Sequence, residues 1–136
     1  MNFNFTKCQV AILAGGAGTR LKLRTSSQPK PMAPILGRPV LEHQLLLCKR
    51  YGFTRIALLV HYEHEVISRY FGDGANFGLH LSYYVEKTAR GTAGALRDAL
   101  ASMDERFLVL YGDTYADIDL KQLWRNHAAS GADATL

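Results

Sequence analysis

Apolar residues fall along this chain in short runs that alternate with helical stripes. Gln9–Ala14 is a brief apolar run closing on glycine, the pattern of a strand buried on both faces. Val40–Tyr51 sets Leu41, Leu45, Leu46 and Cys48 at helical spacing, with Gly52 as a stop. Arg55–Val60 predicts a second strand, Glu63–Phe71 a short helix closed by Gly72 and Gly74, and Leu79–Val85 a third strand. Thr92–Ser102, rich in Ala and Leu, predicts a helix with Thr92 as its N-cap. Phe107–Tyr111 predicts a fourth strand. Asp117 and Asp119 read as turn and N-cap residues for a helix over Leu120–Ser130, and Ala134–Leu136 reads as a strand just starting.

This order predicts an α/β fold whose right-handed crossovers give a mostly parallel sheet with helices on both faces. Ligands of such sheets sit beyond the carboxyl ends of the strands. With 136 residues, 48% hydrophobic, the chain suits one compact domain. No apolar run reaches the length of a membrane span, and Met1–Lys7 does not read as a signal peptide. Cys8 and Cys48 have neither metal-ligand nor disulfide-framework spacing, so reduced thiols and a cytoplasmic location are expected.

Charge adds a direction. The net charge of +4 conceals an asymmetry: through Arg55 there are nine lysines and arginines against one acid, Glu42, and beyond it seven against eleven acids. A basic front half suits an anionic ligand. Its cations gather around a glycine-rich loop rather than along an aromatic-studded face, which favours a polyphosphate nucleotide over a nucleic acid.

That loop is Leu13-Ala14-Gly15-Gly16-Ala17-Gly18-Thr19-Arg20-Leu21, followed closely by Pro29-Lys30-Pro31-Met32. Gly15, Gly16 and Gly18 let backbone N–H groups approach an anion without a Cβ in the way. Arg20 offers a planar fork to phosphate and Lys30 a compact point charge. Flanked by Pro29 and Pro31, Lys30 is expected on an extended stretch that presents its side chain, whereas Lys22 and Arg24 read as solvated loop charges. The string lacks the Gly-Lys-Ser/Thr ending of a P-loop, and Leu21 stands where a dinucleotide fingerprint needs its third glycine. The five histidines, His43, His61, His64, His80 and His127, share no metal spacing and read as structural or exposed.

Gly15–Leu21, Thr25, Pro29–Met32, Pro34 and Gly37–Leu41, with Glu86 through Gly91-Thr92-Ala93-Gly94 and with Gly112-Asp113-Thr114, resemble the motifs of the sugar-1-phosphate nucleotidyltransferases. The match is to the N-terminal portion of the mannose- and heptose-1-phosphate guanylyltransferases and their relatives. It implies a Rossmann-like three-layer sandwich, incomplete at residue 136, whose sugar pocket and second metal carboxylate lie further along. The implied reaction is attack by a sugar 1-phosphate on the α-phosphorus of a nucleoside triphosphate, GTP by preference, with release of pyrophosphate. Since the nucleophile is already an anion, catalysis reduces to positioning and charge stabilisation.

The resemblance assigns roles. Arg20 contacts the triphosphate, Lys30 the α-phosphate or sugar phosphate, and Asp113 holds Mg²⁺. Main chain at Leu13, Ala14 and Gly15 meets base or ribose, Gly16, Gly18 and Thr19 belong to the phosphate loop, and Glu86, Gly91, Thr92 and Gly94 form the base-binding segment. Ala89-Arg90 replaces the Pro-Leu common before Gly-Thr-Ala-Gly, which leaves nucleotide choice open among guanylyl, thymidylyl, cytidylyl and uridylyl transfer. A subunit that senses a nucleotide sugar without turnover is the alternative of another class. A homo-oligomer stays open, and neither nucleic acid nor membrane is expected as a partner.

Overall fold

The computed structural model describes residues 2–16 and 28–136. Its centre is a four-stranded sheet formed by β1 (Gln9–Leu13), β4 (Arg55–Val60), β5 (His80–Val85) and β6 (Phe107–Tyr111). The order across the sheet is β5-β4-β1-β6, and every neighbouring pair is parallel. A small antiparallel hairpin, β2 (Pro34–Ile35) with β3 (Arg38–Pro39), lies apart from it. Among the described residues the α-helices are α1 (Val40–Arg50), α2 (His64–Phe71), α3 (Gly91–Ala99) and α4 (Leu120–Ser130).

The period-two alternation of the strands divides the core between two faces. Val10, Ile12, Ile56, Leu58, Val60 and Leu108 join the larger cluster, which also takes Leu41 and Leu45 from α1, Ile67 and Phe71 from α2, and Leu120 and Trp124 from α4. Each fully buried Leu or Ile there contributes about 1.5–3 kcal/mol relative to exposure. On the other face Ala11 and Ala57 meet Ala95 and Ala99 of α3, with Leu59 beside them. Small side chains on both sides let α3 lie close to the sheet. The result is the expected three-layer α/β arrangement.

Helix ends follow sequence chemistry. Glu42 sits in the first turn of α1 and Lys49 and Arg50 in the last, matching the helix dipole. The Asp119 side chain accepts from the Gln122 backbone N–H at 2.9 Å and caps α4, as its sequence predicts.

Three local expectations are corrected. Helix α3 begins at Gly91, so Thr92 lies inside its first turn and is not the cap; Gly91 adopts φ +71°, a turn into the helix that a residue with a side chain would resist. Residues 134–136 form no strand. Lys30 opens a short 3₁₀ turn, Lys30–Met32, rather than standing on an extended segment. The extended residue is Pro29 (φ −62°, ψ 145°), and Pro31 has the φ that suits the first positions of a helical turn.

The chain runs outward from β1 through β4 to β5, then returns to the far side of β1 as β6. This reversal opens a crevice at the carboxyl ends of β1 and β6.

Candidate active site

A cavity of about 410 Å³ lies at that crevice. Its wall is built from segments that follow all four strands: Leu13, Gly15 and Gly16 after β1, His61 and Tyr62 after β4, Glu86 after β5, and Tyr111 and Asp113 from β6. Gly91, Thr92 and Ala95 close it from the start of α3, and Lys30 and Pro31 from the 3₁₀ turn. Three motifs far apart in sequence therefore meet in one place because strand direction brings them there.

Two charged groups stand together in this wall. Lys30 Nζ is 3.8 Å from Asp113 Oδ2, with side chains 29% and 36% exposed. Lys30 is anchored by its neighbours, since Pro29, Pro31 and Met32 are buried. Asp113 follows Gly112, whose N–H donates to the Leu13 carbonyl at 2.9 Å. A Cβ on Gly112 would lie 3.0 Å from that same oxygen, so only glycine brings Asp113 so close to the end of β1. The Thr114 hydroxyl donates to Asp113 Oδ1 at 3.3 Å.

Glu86 is held differently. Its N–H donates to the Val60 carbonyl at 2.8 Å, and its own carbonyl lies 2.7 Å from His61 Nδ1. A carbonyl only accepts, so the proton sits on Nδ1 of His61. Glu86 Oε1 is buried and has no hydrogen-bond partner among the described residues. Such an orphaned acceptor costs about 1–3 kcal/mol, more when charged, unless a ligand supplies the donor. Glu86 Oε2 lies 3.2 Å from the position a Cβ on Gly15 would take, so Gly15 keeps the space beside the carboxylate clear.

Of the predicted site residues, Leu13, Gly15, Gly16, Lys30, Glu86, Gly91, Thr92 and Asp113 meet in the cavity wall. Ala14 and Gly94 do not. Ala14 is fully buried, and its N–H donates to the Leu59 carbonyl at 2.8 Å. Gly94 is explained by packing, because a Cβ there would fall 2.3 Å from that of Arg90. Gly18, Thr19 and Arg20, with Lys22 and Arg24, lie outside the described residues.

His61, expected to be structural or exposed, lines the cavity and fixes the Glu86 carbonyl. Its position just beyond a predicted strand was the signal that could have found it. The Cys48 thiol lies in the core, and burial pushes its pKa up to about 12, which leaves it without a role as a nucleophile.

A parallel sheet with a ligand-sized crevice at its reversal point, lined by glycines, a lysine and carboxylates, defines a ligand-binding α/β domain. The chain belongs to the nucleotidyl transferase family, whose model matches residues 9–136. It is 42% identical over 120 residues to D-glycero-alpha-D-manno-heptose 1-phosphate guanylyltransferase of Campylobacter jejuni, covering 88% of this chain and 54% of that protein. It is 36% identical over 126 residues to mannose-1-phosphate guanylyltransferase of Mycobacterium tuberculosis, covering 92% of this chain and 35% of the other. The crystal structure of HddC from Yersinia pseudotuberculosis complexed with GMP-PN superposes with a TM-score of 0.80 at 32% identity, over 88% of this chain and 54% of that one. The chain thus spans about half, or less, of the length of these relatives.

Proposed function

We propose that this chain carries the nucleotide-binding site of a cytoplasmic enzyme that transfers a nucleoside monophosphate, guanylyl by preference, from a triphosphate to a sugar 1-phosphate of the heptose or mannose type. Pyrophosphate leaves, and the product is a nucleotide sugar for glycan or polysaccharide synthesis. The observation that carries the choice of base is Glu86 Oε1, buried in the cavity wall without a partner among the described residues. Guanine presents two adjacent N–H donors, N1–H and the N2 amino group, to which a carboxylate can accept side by side. Uracil and thymine present one N–H between two carbonyls, and a carboxylate repels those oxygens. Names among the relatives point the same way, toward GTP and toward manno-configured sugars.

The chemistry asked of the chain is electrostatic. In this reading Lys30, beside Asp113 in the cavity wall, neutralises the transferring phosphoryl group and Arg20 the leaving pyrophosphate. Asp113 suits Mg²⁺, a hard ion that commonly takes one or two carboxylates and fills its other positions with phosphate oxygens and water. Among the described residues no group of three or more His, Cys, Asp and Glu gathers to form an all-protein cage. When bound, the ion would offset charge on the phosphates. Gly15 and Gly16 at the end of β1 would let backbone approach the ligand, and Leu13 and Leu59 add apolar surface to the cavity wall.

The test is pyrophosphate release by the chain within its full-length enzyme, with GTP, UTP, dTTP and CTP against mannose and heptose 1-phosphates, with and without EDTA. Turnover with GTP that EDTA abolishes is expected. Nucleotide binding with no turnover for any pair would favour a sensing subunit, and preference for another triphosphate would overturn the assignment of base.

A further inference from the structure

Beyond the residues that face the cavity, Gln44 stands out. It sits in the middle of α1, is 3% exposed, and its Nε2 donates to the Tyr111 carbonyl at 2.8 Å, across 67 residues of sequence. That carbonyl belongs to the peptide immediately before Gly112-Asp113. The other pole of the same peptide, the Gly112 N–H, is held by the Leu13 carbonyl of β1 at 2.9 Å. The Tyr111 carbonyl faces away from β1, on the side of β6 where no strand among the described residues pairs with it. Gln44 takes the place of that partner, so both ends of one peptide are fixed just where Asp113 departs.

Helix α1 also fixes the other charged group. The N–H of Val40, its first residue, donates to the Ala33 carbonyl at 2.9 Å, directly after the Lys30–Met32 turn. Leu41, Leu45 and Cys48 hold α1 itself in the core at 0% exposure. One rigid helix is therefore tied at its start to the lysine turn and one turn later to the peptide that aims the aspartate. A 3.8 Å approach between two partly exposed side chains is weak by itself. A shared support explains how it is kept.

We propose that Gln44 is a positioning residue for metal binding: by holding the Tyr111 carbonyl, it sets the direction in which Asp113 meets the ion and its distance from Lys30. This rests on the reading of Asp113 as the metal carboxylate. Removing the donor leaves this peptide held only through the Gly112 N–H, and its carbonyl pole is then free to shift.

Titration with Mn²⁺ followed by electron paramagnetic resonance, in the presence of a non-hydrolysable GTP analogue, tests it on the chain itself. Gln44→Met keeps side-chain volume and removes the donor; it is expected to weaken Mn²⁺ binding about tenfold, the scale typical of losing a group that orients a metal ligand. Binding of the analogue in EDTA should be unchanged. Leu41→Val, which loosens the same helix on its core side, should bind Mn²⁺ as wild type does. Should Gln44→Met fail to fold, Gln44→Glu, whose carboxylate cannot donate, is read in the same way. Wild-type Mn²⁺ affinity in the Gln44 variants, with loss in Asp113→Ala, would overturn the inference and leave the metal reading standing. No loss in Asp113→Ala would overturn both. Equal weakening in Leu41→Val would reduce Gln44 to general support and overturn the proposal.

Discussion

Lys30 Nζ and Asp113 Oδ2 lie 3.8 Å apart at the mouth of the cavity, joined from opposite ends of the chain. Both side chains are about one-third exposed, so their mutual attraction adds little to folding, on the order of 0–1 kcal/mol. Lys30→Ala and Asp113→Ala should each leave the melting temperature nearly unchanged and abolish turnover in the full-length enzyme. Pyrophosphate release and thermal denaturation of the two variants check this. Near-normal turnover in either would remove its catalytic assignment.

Gly15, in the cavity wall, and Gly112, just before Asp113, should respond in opposite ways. A Cβ at Gly15 would meet Glu86 Oε2 at 3.2 Å and His61 Cβ at 3.3 Å, a tight fit that shifts side chains but leaves backbone in place. Gly15→Ala should weaken nucleotide binding with little loss of stability. At Gly112 the Cβ would meet the Leu13 carbonyl oxygen at 3.0 Å and Ala14 Cβ at 3.2 Å, within the sheet itself. Gly112→Ala should cost about 1–3 kcal/mol, the usual scale of overpacking. Calorimetric titration and urea denaturation of both variants separate the two effects.

The thiols give a prediction in pH. Burial raises Cys48 from 9.0 to about 12, and the half-buried Cys8 is raised less far, chiefly by the same desolvation. As pH rises through 9, Cys48 loses its proton in the unfolded chain but keeps it in the folded one. The unfolded state then binds fewer protons, and stability falls from pH 9 towards 12. Cys48→Ala should flatten this alkaline decline, measured as urea midpoint against pH. Iodoacetamide at pH 8 should label Cys8 in the native protein and Cys48 only on unfolding.

Trp124 Nε1, beside Phe3 and Phe53 and outside the cavity lining, is a second buried polar atom without a partner among the described residues. An unpaired indole N–H gains nothing from burial. Trp124→Phe should therefore cost less than the about 3–5 kcal/mol expected for removing a buried aromatic outright with Trp124→Ala. Denaturation of the pair checks the difference.

What the sequence disclosed and what it hid divide along physical lines. The four strands of the sheet and all four helices are written in local patterning, because burial on a sheet face or a helix stripe repeats every few residues. Gly91 and Asp113 were singled out through the motifs in which they stand, and both line the cavity. The β2–β3 hairpin was not foreseen: its turn places Leu36 at φ +51° and Gly37 at φ +78°, and leucine is not a residue that signals such a turn. His43 Nε2 pins it by donating to the Ile35 carbonyl at 2.8 Å. Gln44 was invisible for another reason. It acts through one hydrogen bond to a residue distant in sequence, and no local period records that.

The central claim, that this cavity reads guanine through Glu86, is tested most directly by calorimetric titration of the wild-type chain and Glu86→Gln with GTP and UTP. Glutamine offers one acceptor and one donor in place of two acceptors, so it loses a contact to guanine and gains one to a uracil carbonyl. Wild type should prefer GTP by about tenfold or more, the scale of one well-made charged hydrogen bond, and Glu86→Gln should lose or reverse that preference. Equal affinity of the wild type for the two nucleotides, or a preference for GTP untouched by Glu86→Gln, would contradict it.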